Sequence, residues 1–236
     1  MTMLFLHEVH KLLGAKEEEF EQAYRGGWMP MLARGDDARL LWYANHAAGS
    51  GPSYNVVTIT AINDGAAWER LALRVQKGDL REWIDGVDQL RYDVTGKILL
   101  PVYWSRLQEV DFKTVPTDGR EHELSLFMED TGWPYSSLDD YIRMWDEIYA
   151  RPMSQAPPEM RILDIQACFQ VAHGSYQRRE AILWQKITSL DALMHLLTSD
   201  LPPEQRKPGS YMVDALQYRD QWQSKLLRTT AWSPLY

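Results

Sequence analysis

His7, Glu8 and His10 are the densest set of proton-moving groups in this chain, and they sit in what reads as an extended segment over Met3–Leu12. In a strand Glu8 and His10 project to one face, where a carboxylate and an imidazole can share a proton or hold a ligand together. A second set lies on the stretch Arg161–Ala172, where Leu163, Ile165, Ala167, Phe169 and Val171 alternate as one apolar face. If that face packs helices, Asp164, Gln166, Cys168 and Gln170 point the other way. The matching positions of the first half are Trp42, Ala44 and His46. The expected acid–base pair is therefore Glu8 with His10, or Asp164 with His46, because a buried carboxyl rises in pKa and an imidazole switches near neutrality. Gln166 and Tyr54 are expected to orient a substrate oxygen, while Trp42, Tyr103 and Trp104 line or stack against an apolar ring. The bland reading of the same residues is an interior satisfied by its own hydrogen bonds and by water.

Other chemistries lack their signatures. His7, Glu8, His10 and His46 are the one set that would have to converge on a metal, no helical His-Glu-His spacing supports it, and no metal is expected. Gly49-Ser50-Gly51-Pro52 joins two strands and opens no helix, so it is no phosphate loop. No Gly-x-Ser-x-Gly elbow occurs, and Cys168 in mid-strand reads as packing. His122, His173 and His195 fall at linker, turn and helix positions and read as surface or capping residues. No cofactor is expected.

Composition narrows the partners. A net charge of -8 is the opposite of a nucleic-acid footprint. No apolar run approaches the roughly 18 residues of a spanning helix, so no membrane partner is expected. The start is broken by His7, Glu8, His10 and Lys11 and reads as a first strand, not a signal peptide. One cysteine excludes an internal disulfide and suits a reducing, cytoplasmic compartment. Ten tryptophans and twelve tyrosines suit a large core and a homodimer interface.

The elements that must position these groups occur twice. Lys97-Ile98-Leu99 through Trp104-Ser105-Arg106-Leu107 is echoed by Lys225-Leu226-Leu227 through Trp232-Ser233-Pro234-Leu235, with Gln89 and Arg91 mirrored by Gln217 and Arg219. Each half reads strand, helix, strand, strand, helix, strand. In the first, helices are expected over 16–24, 65–76 and 80–92, and strands over 3–12, 39–47, 53–62 and 97–107. In the second, strands are expected over 123–128, 161–172, 177–186 and 225–235, and helices over 137–149, 190–198 and 211–221, with Ser189 placed like Asp64 as an N-cap. The fold class is α+β, a tandem duplication of ferredoxin-like βαββαβ halves whose antiparallel sheets form a dimeric α/β-barrel-type unit. The halves span 1–112 and 122–236, with 113–121 as linker.

By this topology, and by the hairpin, helix and Trp-Ser pattern of both halves, the chain resembles the dimeric α/β-barrel superfamily, and within it tandem NIPSNAP-like proteins. The resemblance implies a barrel cavity and frequent dimers. It does not fix a reaction, since the superfamily spans cofactor-free monooxygenases, heme enzymes, lyases, cyclases and dehydratases. Chlorite dismutase-like heme proteins share the length and duplication, but their surrounding sequence pattern is absent, so heme is not expected. The expected function is a cofactor-independent proton transfer, of lyase, isomerase or dehydratase type, on a small aromatic or apolar metabolite inside the barrel. The alternatives are a cofactor-free monooxygenase and a non-catalytic binding or interaction module.

Overall fold

In a computed structural model, which describes residues 2–157, 161–200 and 202–236, Leu4–Leu12 (β1) is the hub of the first half. It pairs antiparallel with Asn55–Ile62 (β3) on one side and Arg91–Pro101 (β4) on the other, and Ala38–His46 (β2) extends the sheet beyond β3. In the second half Leu126–Pro134 (β5) pairs in the same way with Ala181–Ile187 (β7) and Arg219–Thr229 (β8), and Leu163–His173 (β6) extends it beyond β7. Both halves thus run in the order fourth, first, third, second strand. The eight strands close into one antiparallel barrel, β1-β3-β2-β8-β5-β7-β6-β4. The closing seams are short: Ala44–His46 against Leu227–Thr229, and Ile98–Pro101 against Phe169–His173.

Helices cover the outside. The first half has Glu17–Ala23 (α1), a π-helical turn Tyr24–Trp28, Met29–Leu32 (α2), Gly65–Lys77 (α3) and Arg81–Val87 (α4). The second has Leu138–Trp145 (α5), a π-helical turn Asp146–Ala150, Arg151–Gln155 (α6), Leu190–Thr198 (α7) and Tyr211–Asp214 (α8). Asp64 and Ser189 cap α3 and α7 by accepting from Ala67 N and Ala192 N, at 2.7 and 3.2 Å. Each π turn precedes a proline, Pro30 or Pro152. A proline can neither donate to the carbonyl four residues back nor sit close beside it, and the ladder widens over that turn.

With helices outside and side chains inside, β2 and β3 are buried on both faces almost throughout. The interior is a filled core. Phe5 meets Phe169 at 4.9 Å between centroids, Phe127 stacks on Trp184 at 5.2 Å, and Trp42 packs on Trp184 at 5.5 Å. Leu107, Val110, Phe112 and Val115 of the inter-half segment pack against this core. Its polar members neutralise one another: Glu129 takes a 2.7 Å hydrogen bond from His7 Nε2 and a bond from Lys225, while Glu180 pairs with Lys97 at 2.6 Å and accepts from Trp133 Nε1 at 2.5 Å. Burial pushes the Glu129 carboxyl up, but Lys225 and His7 together hold it well below the usual range. The open interior pocket expected from sequence is therefore occupied by side chains.

The Trp-Ser end of the repeat, which the sequence predicts as strand, is loop. β4 stops at Pro101 and β8 at Thr229, so both Trp-Ser pairs lie beyond the strands. They form a reciprocal clasp. Ser105 Oγ, at the end of the first half, accepts from Cys168 N on β6 at 2.9 Å, and Ser233 Oγ, at the end of the second, accepts from Tyr43 N on β2 at 3.1 Å. Trp104 Nε1 donates to the Ile142 carbonyl on α5 at 3.1 Å, and Trp232 Nε1 donates to Glu21 Oε1 on α1 at 2.7 Å. Each serine serves a strand just past its β-bulge, Ile165/Ala167 in β6 and Leu40/Trp42 in β2, near where ladder pairing is interrupted. Ser105→Ala and Ser233→Ala should each strand a buried N–H and cost about 1–3 kcal/mol. Thermal unfolding should register this as a melting point lower by roughly 2–4 °C per kcal/mol for a chain of this size. Unchanged melting in both variants would refute the clasp.

Candidate active site

β1 keeps unbroken alternation from Leu4 to His10, so Glu8 and His10 share a face, as the sequence predicts. That face looks away from the barrel interior. It packs with Leu4, Leu6 and Leu12 against α1, the π turn and α4, in a cluster holding Phe20, Tyr24, Trp28 and Tyr43. His10 is fully buried there, with the Phe20 and Tyr24 rings 5.2 and 5.5 Å away. The π turn presents Tyr24. The carbonyl of Ala23, at its start, accepts from Trp83 Nε1 at 2.9 Å, and Trp83 stacks on Trp28 at 4.8 Å. Gly27 is glycine for a steric reason: a Cβ there would stand 2.3 Å from Trp83 Nε1.

The hydrogen bonds around His10 fix its chemistry. Arg91, at the start of β4, directs Nη1 at His10 Nδ1 at 2.7 Å, and its Nε and Nη2 hold Asp88 Oδ1 at 2.8 and 2.6 Å. A guanidinium only donates, so Nδ1 accepts and the proton sits on Nε2. Nε2 lies 3.1 Å from both Thr58 Oγ1 and Tyr24 Oη. Burial first, then Arg91 and His7, lower the imidazole well below its ordinary pKa, so it is a neutral donor. Burial first, and the nearby Glu8 next, push the Tyr24 hydroxyl well above the usual phenol range, so it too keeps its proton.

Glu8 is the member of the group that titrates near neutrality. Its Oε2 stands 4.0 Å from His10 Nε2, beyond hydrogen bonding, and a fifth of its side chain reaches solvent. Burial raises its carboxyl to about 7, with Arg91 opposing and Asp88 reinforcing the shift. A carboxyl half-ionised at neutral pH thus stands beside two protonated neutral donors, the groups that proton transfer requires.

The other residues singled out from sequence lie elsewhere. Trp42 and His46 belong to the barrel interior, where burial and then Lys225 lower the His46 imidazole. The bulge between Ile165 and Ala167 breaks the alternation of β6, so Ala167, Phe169 and Val171 face the interior, while Ile165 and Cys168 pack with α5. Asp164 stands across from Lys186, bonded by Arg106 Nη1 at 2.7 Å and Gln166 Nε2 at 2.7 Å. It lines an outer groove of about 220 Å³ with Trp104, Arg106, Asp146 and Arg151. Tyr103 donates to Asp146 Oδ2 at 2.7 Å. Asp164 and His46 are kept apart, since three strands separate β2 from β6 in either direction around the barrel. Tyr54 is half exposed, with φ at 60° and its ring against Gly14. Among the expected residues Asp164, Gln166 and Trp104 gather at the outer groove, and Glu8 and His10 come together separately, with Tyr24, Thr58 and Arg91 around them. Only Arg91 had left a sequence trace, as half of the Arg91/Arg219 repeat.

No family profile matches the chain, and no curated protein matches it in sequence. Solved structures do. A candidate monooxygenase from Lactobacillus acidophilus aligns over all of this chain and 98% of its own, at 10% identity and a TM-score of 0.60. An anthrone oxidase-like protein aligns over 98% and 92%, at 8% identity and a TM-score of 0.57. A NIPSNAP family protein from Agrobacterium tumefaciens covers 44% of this chain and 98% of its own, at 20% identity and a TM-score of 0.37. At these identities the likeness is one of fold, an eight-stranded antiparallel α/β barrel closed within one chain.

Proposed function

We propose that this chain is a cofactor-independent acid–base enzyme acting on a small aromatic or otherwise apolar metabolite at the helix-covered face of its first half. The observation that carries it is Glu8, a carboxyl near pKa 7 standing 4.0 Å from the Nε2–H of a neutral His10. Glu8 as carboxylate takes a proton from a carbon next to a carbonyl. The electron pair left on that carbon delocalises onto the carbonyl oxygen, where His10 Nε2–H and the Tyr24 hydroxyl stabilise the charge. Return of the proton to another carbon is an isomerisation, and departure of a β-leaving group is a lyase or dehydratase step. The same carbanion is the electron donor that cofactor-free oxygenation requires, with molecular oxygen as acceptor. The fold shared with a candidate monooxygenase and an anthrone oxidase-like protein makes this the second reading.

Anthrone and a panel of small aromatic ketones in D₂O test both readings. Deuterium incorporation without oxygen uptake supports the isomerase or lyase class, oxygen uptake supports the monooxygenase, and binding without either supports a binding module. The duplication into ferredoxin-like halves 1–112 and 122–236, NIPSNAP-like in kind, is part of the same proposal. It is supported by the common strand order, the reciprocal clasp and the matched π turns. So is a homodimer, which light scattering tests.

Glu8→Gln should reduce exchange or turnover by about 10²- to 10⁴-fold. Wild-type activity should rise with pH through about 7 as Glu8 ionises. Stability should run the other way. The folded pKa of about 7 lies above the model-compound 4.5, so the fold holds an extra proton between them and loses stability as pH climbs across that window. Glu8→Gln should thus be the more stable protein above pH 7, by roughly 3 kcal/mol, and should match wild type at pH 4. Melting curves at the two pH values check this; a less stable Glu8→Gln at high pH would mark Glu8 as structural.

Arg91 is a positioning residue. Arg91→Gln should let the Nδ1–H tautomer of His10 appear and raise its pKa, both visible by ¹⁵N NMR of the imidazole, and should lower kcat more than it raises KM.

A further inference from the structure

The halves share a register, and the residues facing Glu8 can be compared one by one with those facing its counterpart. Glu8 lies across from Gly96 on β4, and Asp130 lies across from Ser224 on β8. Asp130 is saturated. Ser224 Oγ donates to its Oδ1 and Gln185 Nε2 to its Oδ2, the latter at 2.9 Å, and Tyr149 holds the Gln185 Oε1 at 2.7 Å. In the first half neither bond is made. Gly96 stands in the place of Ser224 and carries no donor, and Thr60, in the place of Gln185, accepts from Trp28 Nε1 at 3.3 Å and is not bonded to Glu8. No group among the described residues donates a hydrogen bond to the Glu8 carboxyl.

Resting on the proton-transfer reading above, we infer that Gly96 is the opening through which the substrate's acidic group reaches Glu8, taking the place that the Ser224 hydroxyl fills in the second half. Gly96 is exposed, and a Cβ there would lie 3.8 Å from Leu6 Cδ1 and 3.9 Å from Glu8 Cγ, so a larger side chain covers the carboxyl. A mid-strand glycine weakens a sheet, and close approach of a ligand is one of the reasons for having one. The surroundings define the substrate. Val94, 37% exposed, and the partly buried Ile98 flank Gly96 on the same strand face, beside Leu6. The charged and titratable groups facing Glu8 are Arg91, Asp88, His10 and Tyr24, and Arg91 is already committed to Asp88 and His10. Among the described residues facing Glu8, no unpaired charge is left for an ionic substrate. The site fits an uncharged carbon, oxygen or nitrogen acid whose proton sits at the edge of an apolar body.

Two measurements on the full chain test this without a known substrate. ¹³C NMR of labelled glutamate carboxyls follows Glu8 directly. In Gly96→Ser the new hydroxyl should donate to the carboxylate and lower its pKa by about one unit, the equivalent of one hydrogen bond, whereas Gly96→Ala should not lower it. Coupling of glycinamide by a water-soluble carbodiimide, mapped by peptide mass spectrometry, reports access. Glu8 should couple in the wild type and fall to background in Gly96→Leu, with the melting point kept or raised. An unmoved Glu8 titration in Gly96→Ser, or undiminished coupling in Gly96→Leu, overturns the inference. Its failure is distinct from failure of the enzyme reading, which Glu8→Gln alone decides through loss or retention of exchange.

Discussion

Barrel closure across two short seams is the constraint on which the rest of this structure depends. Hydrogen-bonded pairing at the β2–β8 seam covers only Ala44–His46 against Leu227–Thr229, too little ladder to hold two sheets by itself. The clasp supplies what the seams lack. Each half ends by sending a tryptophan into the helix layer of the other and a serine hydroxyl onto a backbone N–H beside the other's bulge. Neither helix-covered core is thus complete without the opposite chain ending. Trp232, in the segment that follows β8, packs in the same cluster as Phe20 and Tyr24, with its ring 5.0 Å from that of Tyr43. The walls of the Glu8 site are assembled by closure of the whole barrel.

Two buried acids show how closure divides structural from chemical roles. Glu129, inside the barrel, receives Lys225 and His7 directly, and their attraction exceeds its desolvation. Glu8, on the other face of the sheet, has one cation nearby, and Arg91 is spent on Asp88 and on His10 Nδ1. Desolvation therefore wins at Glu8, and the carboxyl titrates near neutrality. The interior could not host such a group, because its aromatic rings fill the space and its charges are paired. Between sheet and helices Glu8 keeps low polarity and solvent access together, with a fifth of its side chain exposed.

The face shared by Glu8 and His10 was legible because β1 alternates without interruption. The β6 face was not, because a bulge between Ile165 and Ala167 reverses the parity of everything after it, and nothing in the local residues announces a bulge. Burial on both faces of β2 and β3 likewise erased the alternation that would have separated interior from helix side. The Trp-Ser repeat is visible as a pattern, but nothing local marks it as lying beyond the strand ends at Pro101 and Thr229. Its partners, Cys168 N and Tyr43 N, lie 63 and 190 residues away, and tertiary contacts of that kind leave no periodic trace. Arg91 shows the same gap, its repeat with Arg219 readable and its hold on His10, 81 residues away, not.

The two halves diverge where chemistry is proposed and agree where the barrel is closed. His10 has Gly132 as its counterpart, and the room is taken by Tyr141, whose hydroxyl would lie 2.1 Å from a Cβ at that position. Asp130, though burial still raises it, has both oxygens bonded, which removes it as a free base and favours the fold. Glu8 forgoes those bonds. A closed barrel can bear such a defect because the clasp and the paired interior charges hold both halves together. The unsatisfied acid is then the informative residue: bonds that its counterpart makes and it lacks are ones a structural carboxylate would keep, and it is on their absence that the proposed substrate face rests.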